Sequence, residues 1–371
     1  MTTDNPATLT RRQIVSGAAT FAIAPSTLAA ADQSDAELAN LAASKGITFG
    51  SQINSDYFSS TSYLGLYRYG AVRIVVPEMD LKAVRVVPKP YEYHFAGADA
   101  TLNFAKLYGS AMHGHNLIWA AGRYNPKWIQ DLRASDVAGF IDQYIATVVG
   151  RFRGRIVSWD VVNEPIGLGP DNVYQTGPFY DALGPDYIAR SFRAARAADP
   201  AAILVLNEGY TERDDQTGVA RRQHLLAVLD TLLGANVPIQ AVGLQGHVQP
   251  QLLFSPGAFD RFLTAIEDRK LDIYISELDV DDSSFPDDIS QRDQLVANAY
   301  YRFLSIALKH PRVKRVMTWG LVDTYSYYVA IAKQQNPNTT RLPRPLLFDS
   351  NFQRKPAWYA VQRAFNEAPV R

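Results

Sequence analysis

The stretch Ile156-Val157-Ser158-Trp159-Asp160-Val161-Val162-Asn163-Glu164-Pro165 is rich in β-branched and apolar residues, then turns to an amide and a carboxylate just ahead of a proline. β-Branched side chains favour an extended backbone and proline offers no ladder donor, so the reading is a strand that stops at its polar tip. Seven other segments have the same form, and strands are expected at 46–51, 72–76, 110–117, 156–163, 202–207, 241–245, 271–276 and 313–319. Between them apolar residues recur three and four apart, predicting helices at 99–108, 135–152, 179–198, 218–235, 256–269 and 290–310. Phe303, Ile306 and Ala307 form one such face. No Ser/Gly/Pro-rich linker interrupts the alternation, which is the pattern of a parallel α/β architecture. Eight strands close a (β/α)8 barrel, expected here as a single domain over 32–371. A doubly wound open sheet would instead want a Gly-rich phosphate turn after an early strand, and the sequence has none.

The expected strands are apolar until their carboxyl ends, where they deliver Glu78, His115, Asn163 with Glu164, Asn207, Gln245 with His247, Glu277 and Trp319. In a barrel those ends meet on one face, where active sites sit. Any one of these residues alone could cap a helix or solvate a loop. Their recurrence at equivalent places argues for a shared site.

The bulk composition narrows what that site handles. Lys plus Arg and Asp plus Glu both number 37, so no net field draws the chain to nucleic acid or to an anionic membrane, and an uncharged substrate is the easier fit. The sequence has no cysteine, which excludes disulfides, thiolate nucleophiles and thiolate-held zinc. Its six histidines are scattered, and only His115 and His247 stand at strand ends, so neither a metal nor any other cofactor is expected. At the amino terminus Arg11-Arg12 precedes a weakly apolar stretch and then small residues around Leu28-Ala29-Ala30-Ala31. This resembles a twin-arginine export signal over 1–31, giving a periplasmic or secreted protein. No later run approaches the roughly 20 apolar residues of a spanning helix, so no membrane insertion of the mature chain is expected.

Two glutamates at the ends of the fourth and seventh strands, Glu164 and Glu277, can face one another across the barrel mouth. Cleaving a glycosidic bond needs such a pair, one carboxyl to protonate the leaving oxygen and one to attack or stabilise the anomeric carbon. A separation of about 5 Å gives retention of configuration, and about 6.5–9.5 Å gives inversion. Asn163 carries an amide suited to a sugar 2-hydroxyl. His247 and Asp279 fall near Glu277 if strands six and seven are neighbours, and a histidine held by an aspartate keeps a carboxylate ionised, as a nucleophile requires. Glu164 has no such partner in its motif and is the candidate acid/base.

These motifs resemble glycoside hydrolase family 10, the retaining endo-1,4-β-xylanases on a (β/α)8 barrel, over about 46–365. Asn163-Glu164 resembles the family's acid/base motif and Ser276-Glu277-Leu278-Asp279 its nucleophile motif. Gly243-Leu244-Gln245-Gly246-His247 is similar to the segment whose glutamine and histidine neighbour the nucleophile. The resemblance implies that His115 and Trp119 line the sugar subsite beside the cleaved bond, that Glu78 and Lys82 belong to the outer glycone subsite, that Asn207 begins the fifth-strand loop, and that Trp319 lies under the bound sugar. It also implies a polysaccharide or oligosaccharide substrate, and the chain is expected to act as a monomer. Departures cluster on the glycone side: Met79 stands for an asparagine, Ala83 for a tryptophan, Ala120 for a histidine, Gly122 for a glutamine and Tyr327 for a second tryptophan. They remove hydrogen-bonding groups, each contributing about 0.5–1.5 kcal/mol net, and a stacking surface. A wider apolar cavity near Met79, Ala83 and Gly122 is one expected consequence, fitting a differently decorated β-glycan or an exo-acting enzyme as alternatives to plain xylan. A non-catalytic sugar-binding barrel and a metal-dependent hydrolase are the readings from other classes; the first generally loses a carboxylate and the second needs clustered ligands.

Overall fold

The computed structural model describes residues 36–371 apart from 69 and 70; the proposed export signal over 1–31 lies outside the described residues. Eight strands are present: β1 Thr48–Ile53, β2 Ile74–Pro77, β3 Ala111–Gly114, β4 Ser158–Asn163, β5 Ile203–Glu208, β6 Ala241–Leu244, β7 Asp272–Val280 and β8 Val313–Thr318. Each pairs in parallel with the next, and β8 pairs with β1, so the sheet closes into the expected (β/α)8 barrel. Two short extensions prolong it at the carboxyl end: Ile118–Trp119 pairs with β4, and His247–Val248 pairs with β7.

The helices stand where the apolar period placed them, with local reasons for their ends. Asp215 accepts a hydrogen bond from the Gly218 amide at the start of Gln216–Gly234, and Asp288 does the same for Ile289–Ala307 through Gln291. Ser255 caps Pro256–Asp268, where proline occupies the first turn and its missing donor costs nothing. The helix expected over 179–198 is two helices, Pro178–Leu183 and Asp186–Ala198. Gly184 at φ 57° ends the first in the left-handed region, and Pro185 cannot continue it. Helices Ala36–Ser44 and Pro356–Glu367, which the sequence reading did not single out, complete the barrel near its ends. Among the described residues no helix is long and apolar enough to cross a membrane.

Inside the barrel Ile74, Val76, Val205, Ala241, Tyr274, Met317 and Trp319 pack together, and the larger apolar layer lies between sheet and helices. The interior also carries a polar column. Asp160 Oδ2 lies 3.0 Å from His113 Nε2 and 2.9 Å from His115 Nδ1, and Ser158 Oγ meets both His113 Nδ1 and the Arg315 guanidinium. Burial pushes the Asp160 carboxyl up, yet the two imidazoles outweigh it and hold the group down at about 2, so it is ionised across the physiological range. A bulge in β4 between Asp160 and Val162 lets this arrangement coexist with the site above it. In a regular strand residues 160 and 163 would face opposite sides; the extra residue brings both toward the interior.

Candidate active site

Register places the site's side chains before any of them is considered singly. Asn163 of β4 pairs with Asn207 of β5, and Asn207 with Gly243 of β6, so three strands end at one level. A Cβ on Gly243 would fall 2.1 Å from Asn207 Oδ1, and one on Gly209 would fall 2.2 Å from Gln245 Oε1. Glycine is required at both positions so that the two amides can lie flat across the mouth. His247 pairs directly with Asp279 in the β7 extension, which sets the imidazole beside its carboxylate.

Glu277, only 5% exposed, is held at both oxygens. Asn207 Nδ2 donates to Oε1 at 2.7 Å, His247 Nε2 lies 3.2 Å from Oε2, and His115 Nδ1 lies 3.9 Å from Oε1. His247 Nδ1 sits 2.9 Å from Asp279 Oδ1, so a doubly protonated ring donates to both carboxylates. Burial pushes the His247 ring down, but the Asp279 and Glu277 charges prevail and hold it well above its ordinary value. Burial likewise raises Glu277, and the charge of His115 with the His247 hydrogen bond reverses the effect, leaving it below the usual carboxylate range.

Glu164 is surrounded differently. It leaves β4 at φ 55°, a left-handed conformation uncommon outside glycine, and its amide donates to the Asn207 carbonyl at 2.9 Å. Trp119 Nε1 donates to Oε2 at 2.9 Å and Gln245 Nε2 to Oε1 at 3.0 Å, with Asn163 Nδ2 at 3.4 Å. These donors are all neutral. Gln245 therefore neighbours Glu277 through its backbone, whose carbonyl accepts the Glu277 amide at 2.8 Å, while its side chain serves the other carboxylate. Just behind, the buried Glu208 and Arg221 form an ion pair at 2.9 Å and clamp the turn: Glu208 accepts from the Ile166 amide and Arg221 donates to the Ile166 carbonyl.

The remaining expected residues form the walls. Lys82 Nζ stands 4.8 Å from the Trp119 ring and 5.7 Å from the Trp319 ring; burial depresses its ammonium against the opposing pull of Glu277, Glu78 and Glu164. Trp319 meets His115 edge-on at 5.1 Å, and Tyr327 meets His247 at 5.7 Å. Glu78 accepts from Gln52 at 2.6 Å and Asn54 at 2.9 Å, partners that sequence reasoning missed along with Asp160 and the Glu208–Arg221 clamp. Polar residues inside an early strand were the available signal for Gln52. The wider cavity expected at Gly122 is not what the loop builds there. A Cβ on Gly122 would lie 3.2 Å from Pro178 Cδ, so the segment following β4 fills that space, while Ala83 and Ala120 are buried.

Glu212, four residues beyond the end of β5 and 3% exposed, is a titratable group outside the site described above. Neither carboxyl oxygen has a hydrogen-bond partner among the described residues, and burial pushes the group up to about 7. Its folded value thus exceeds the unfolded one, so folding takes up a proton and stability falls as pH rises from about 4.5 to about 7. Glu212→Gln removes this penalty, and its stability relative to the parent is expected to improve by about 2–3 kcal/mol between pH 4 and pH 8. Urea unfolding at both pH values measures the difference, and parallel curves would show that Glu212 is not held neutral.

Neutral donors, aromatic faces and two oppositely supported carboxylates suit an uncharged ring-shaped substrate, and a mouth so equipped on a parallel barrel defines the glycoside hydrolases as the class. Comparison with known proteins narrows this. The profile of glycosyl hydrolase family 10 matches residues 37–364, and the chain belongs to that family. Endo-1,4-beta-xylanase B of Thermotoga neapolitana is 28% identical over 298 residues, covering 79% of this chain and 81% of its own. Endo-1,4-beta-xylanase A of Phanerodontia chrysosporium is 30% identical over 345 residues, covering 90% and 78%. Among solved structures, xylanase 10B from Thermotoga petrophila in complex with xylobiose superposes with a TM-score of 0.79 at 28% identity, covering 89% of this chain and 97% of that one.

Proposed function

We propose that this glycoside hydrolase is a retaining endo-1,4-β-xylanase, with Glu277 as nucleophile and Glu164 as acid/base. The observation that carries the reading is the contrast between the two carboxylates. Glu277 receives an imidazole and an amide and is kept ionised, as attack on an anomeric carbon demands, whereas no imidazole reaches Glu164, which the Trp119 indole and the Gln245 amide fix in place as the carboxyl left to serve the leaving oxygen. His247, fixed by Asp279, and Asn207 act as positioning residues for the nucleophile. Asn163 supplies the amide for the 2-hydroxyl, Gln245 and Trp119 orient the acid, and Lys82, Glu78, Trp319 and Tyr327 hold the glycone sugars. The named activities of the relatives support xylan as the substrate. With the leader proposed for 1–31, the polymer is met outside the cytoplasm.

Proton NMR of xylo-oligosaccharide hydrolysis tests the stereochemistry. The β-anomer is expected first, with the α-anomer appearing only as mutarotation proceeds; the α-anomer first would establish inversion. A fall in xylan viscosity well ahead of reducing-sugar release is the expected sign of internal cleavage, and release of one small product from chain ends would replace endo with exo action.

A further inference from the structure

Outside the residues of the mouth lies a groove of about 440 Å³, within the range of about 300–1,000 Å³ usual for ligand sites. Its walls are the segment following β2, which also carries Glu78 and Lys82, the stretch from Trp128 to Arg133, and the helix Ala134–Arg151. Tyr91, Tyr93, Trp128 and Phe140 present aromatic rings to it, and Gln143 adds a hydrogen-bonding amide. We infer that this groove is a second binding site for a β-1,4-linked xylan chain, outside the cleavage site and resting on the proposed xylanase activity.

Three observations select that occupant. First, Tyr91 is 78% exposed and adopts φ 62°, a backbone conformation that aromatic residues seldom take. The fold does not need an exposed ring there, yet the turn is fixed: Lys89 and Glu92 pair across it, and the His94 amide donates to the Val86 carbonyl at 2.7 Å. An aromatic side chain set in water on a fixed turn is a surface open to contact.

Second, the rim is electrically balanced. Lys89 and His94 both face Glu92, and Arg133 pairs with Asp136 at 2.8 Å, so the groove offers rings and neutral polar edges rather than a field for a charged partner. That combination matches a pentose polymer, whose ring faces are apolar and whose edges carry hydroxyls.

Third, the groove is tied to the mouth. Trp128 Nε1 donates to the Val87 carbonyl at 3.0 Å, Gln130 donates to the Asn125 carbonyl, and Asn125 donates to the carbonyl of Trp119, whose indole holds Glu164. A chain gripped here is brought to the cleavage site at high local concentration.

The test compares the full protein with Tyr91→Ala and, independently, Gly139→Met. Gly139 lines the groove and a Cβ there meets no atom within 4 Å, so the larger side chain obstructs the groove without crowding the fold. Both variants are expected to hydrolyse an aryl β-xylobioside within twofold of the parent. On polymeric xylan KM is expected to rise about five- to tenfold with kcat held, and retardation in gels cast with soluble xylan should be lost. Tyr91→Phe should restore both. Unchanged polymer KM and unchanged retardation in both variants would overturn the groove as a binding site while leaving the xylanase reading intact. A parent protein that turns over the aryl xylobioside but neither binds nor cuts xylan would overturn both. Loss of a dimer in Tyr91→Ala, seen by light scattering, with unaltered xylan binding, would reassign the surface to self-association.

Discussion

Glu277→Ala is expected to lower turnover of an aryl β-xyloside by about four to six orders of magnitude, the scale on which hydrolases lose activity when their nucleophile is removed. Truncation empties the space framed by Asn207 and His247 and leaves both donors aimed at it. Azide is an anion of suitable size for that space. It should restore turnover and leave as an α-glycosyl azide, because it attacks from the face the carboxylate occupied. A β-azide, or activity within tenfold of the parent without azide, would remove Glu277 from the nucleophile role.

Glu164→Ala separates the other half of the reaction. Substrates with a poor leaving group need a proton at the glycosidic oxygen and should slow by about 10²–10⁴-fold, the usual contribution of general acid catalysis. A dinitrophenyl xyloside leaves readily as its anion and should form the glycosyl-enzyme at a rate close to the parent's. Pre-steady-state measurement of phenolate release isolates that step from hydrolysis of the intermediate. Equal losses on both substrates would mean that Glu164 supports binding or structure and does not donate the proton.

The barrel was legible because its signals are local and repeated: β-branched runs, helical period, and polar residues at strand tips. The break at Gly184-Pro185 was written in the sequence as well, but the apolar period running through both flanking helices concealed it. The two carboxylates and His247 with Asp279 were legible for a different reason. Parallel neighbours share a register, so strand-end residues on β6 and β7 are predictable companions. What stayed hidden depends on distances between segments far apart in the chain. Asn207 looked like the start of a loop, and only the closed sheet puts its amide 2.7 Å from Glu277. Trp119 was expected only to line the sugar subsite; that its indole N–H turns to Glu164 and its ring stacks on Tyr124 at 3.9 Å could not be read from the sequence. Gly122 suggested empty space because sequence shows the missing side chain and not the Pro178 that fills its place.

The amides across the mouth have a consequence for how substitutions there combine. Asn207 Nδ2 serves Glu277 at 2.7 Å and Asn163 Oδ1 at 2.8 Å, and the amides of Asn163 and Gln245 both reach Glu164 Oε1. The two carboxylates are thus held by one connected set of amides. Loss of the Asn207 amide is therefore felt at both glutamates, and the effects of Asn207→Ala and Gln245→Ala on turnover are not expected to add.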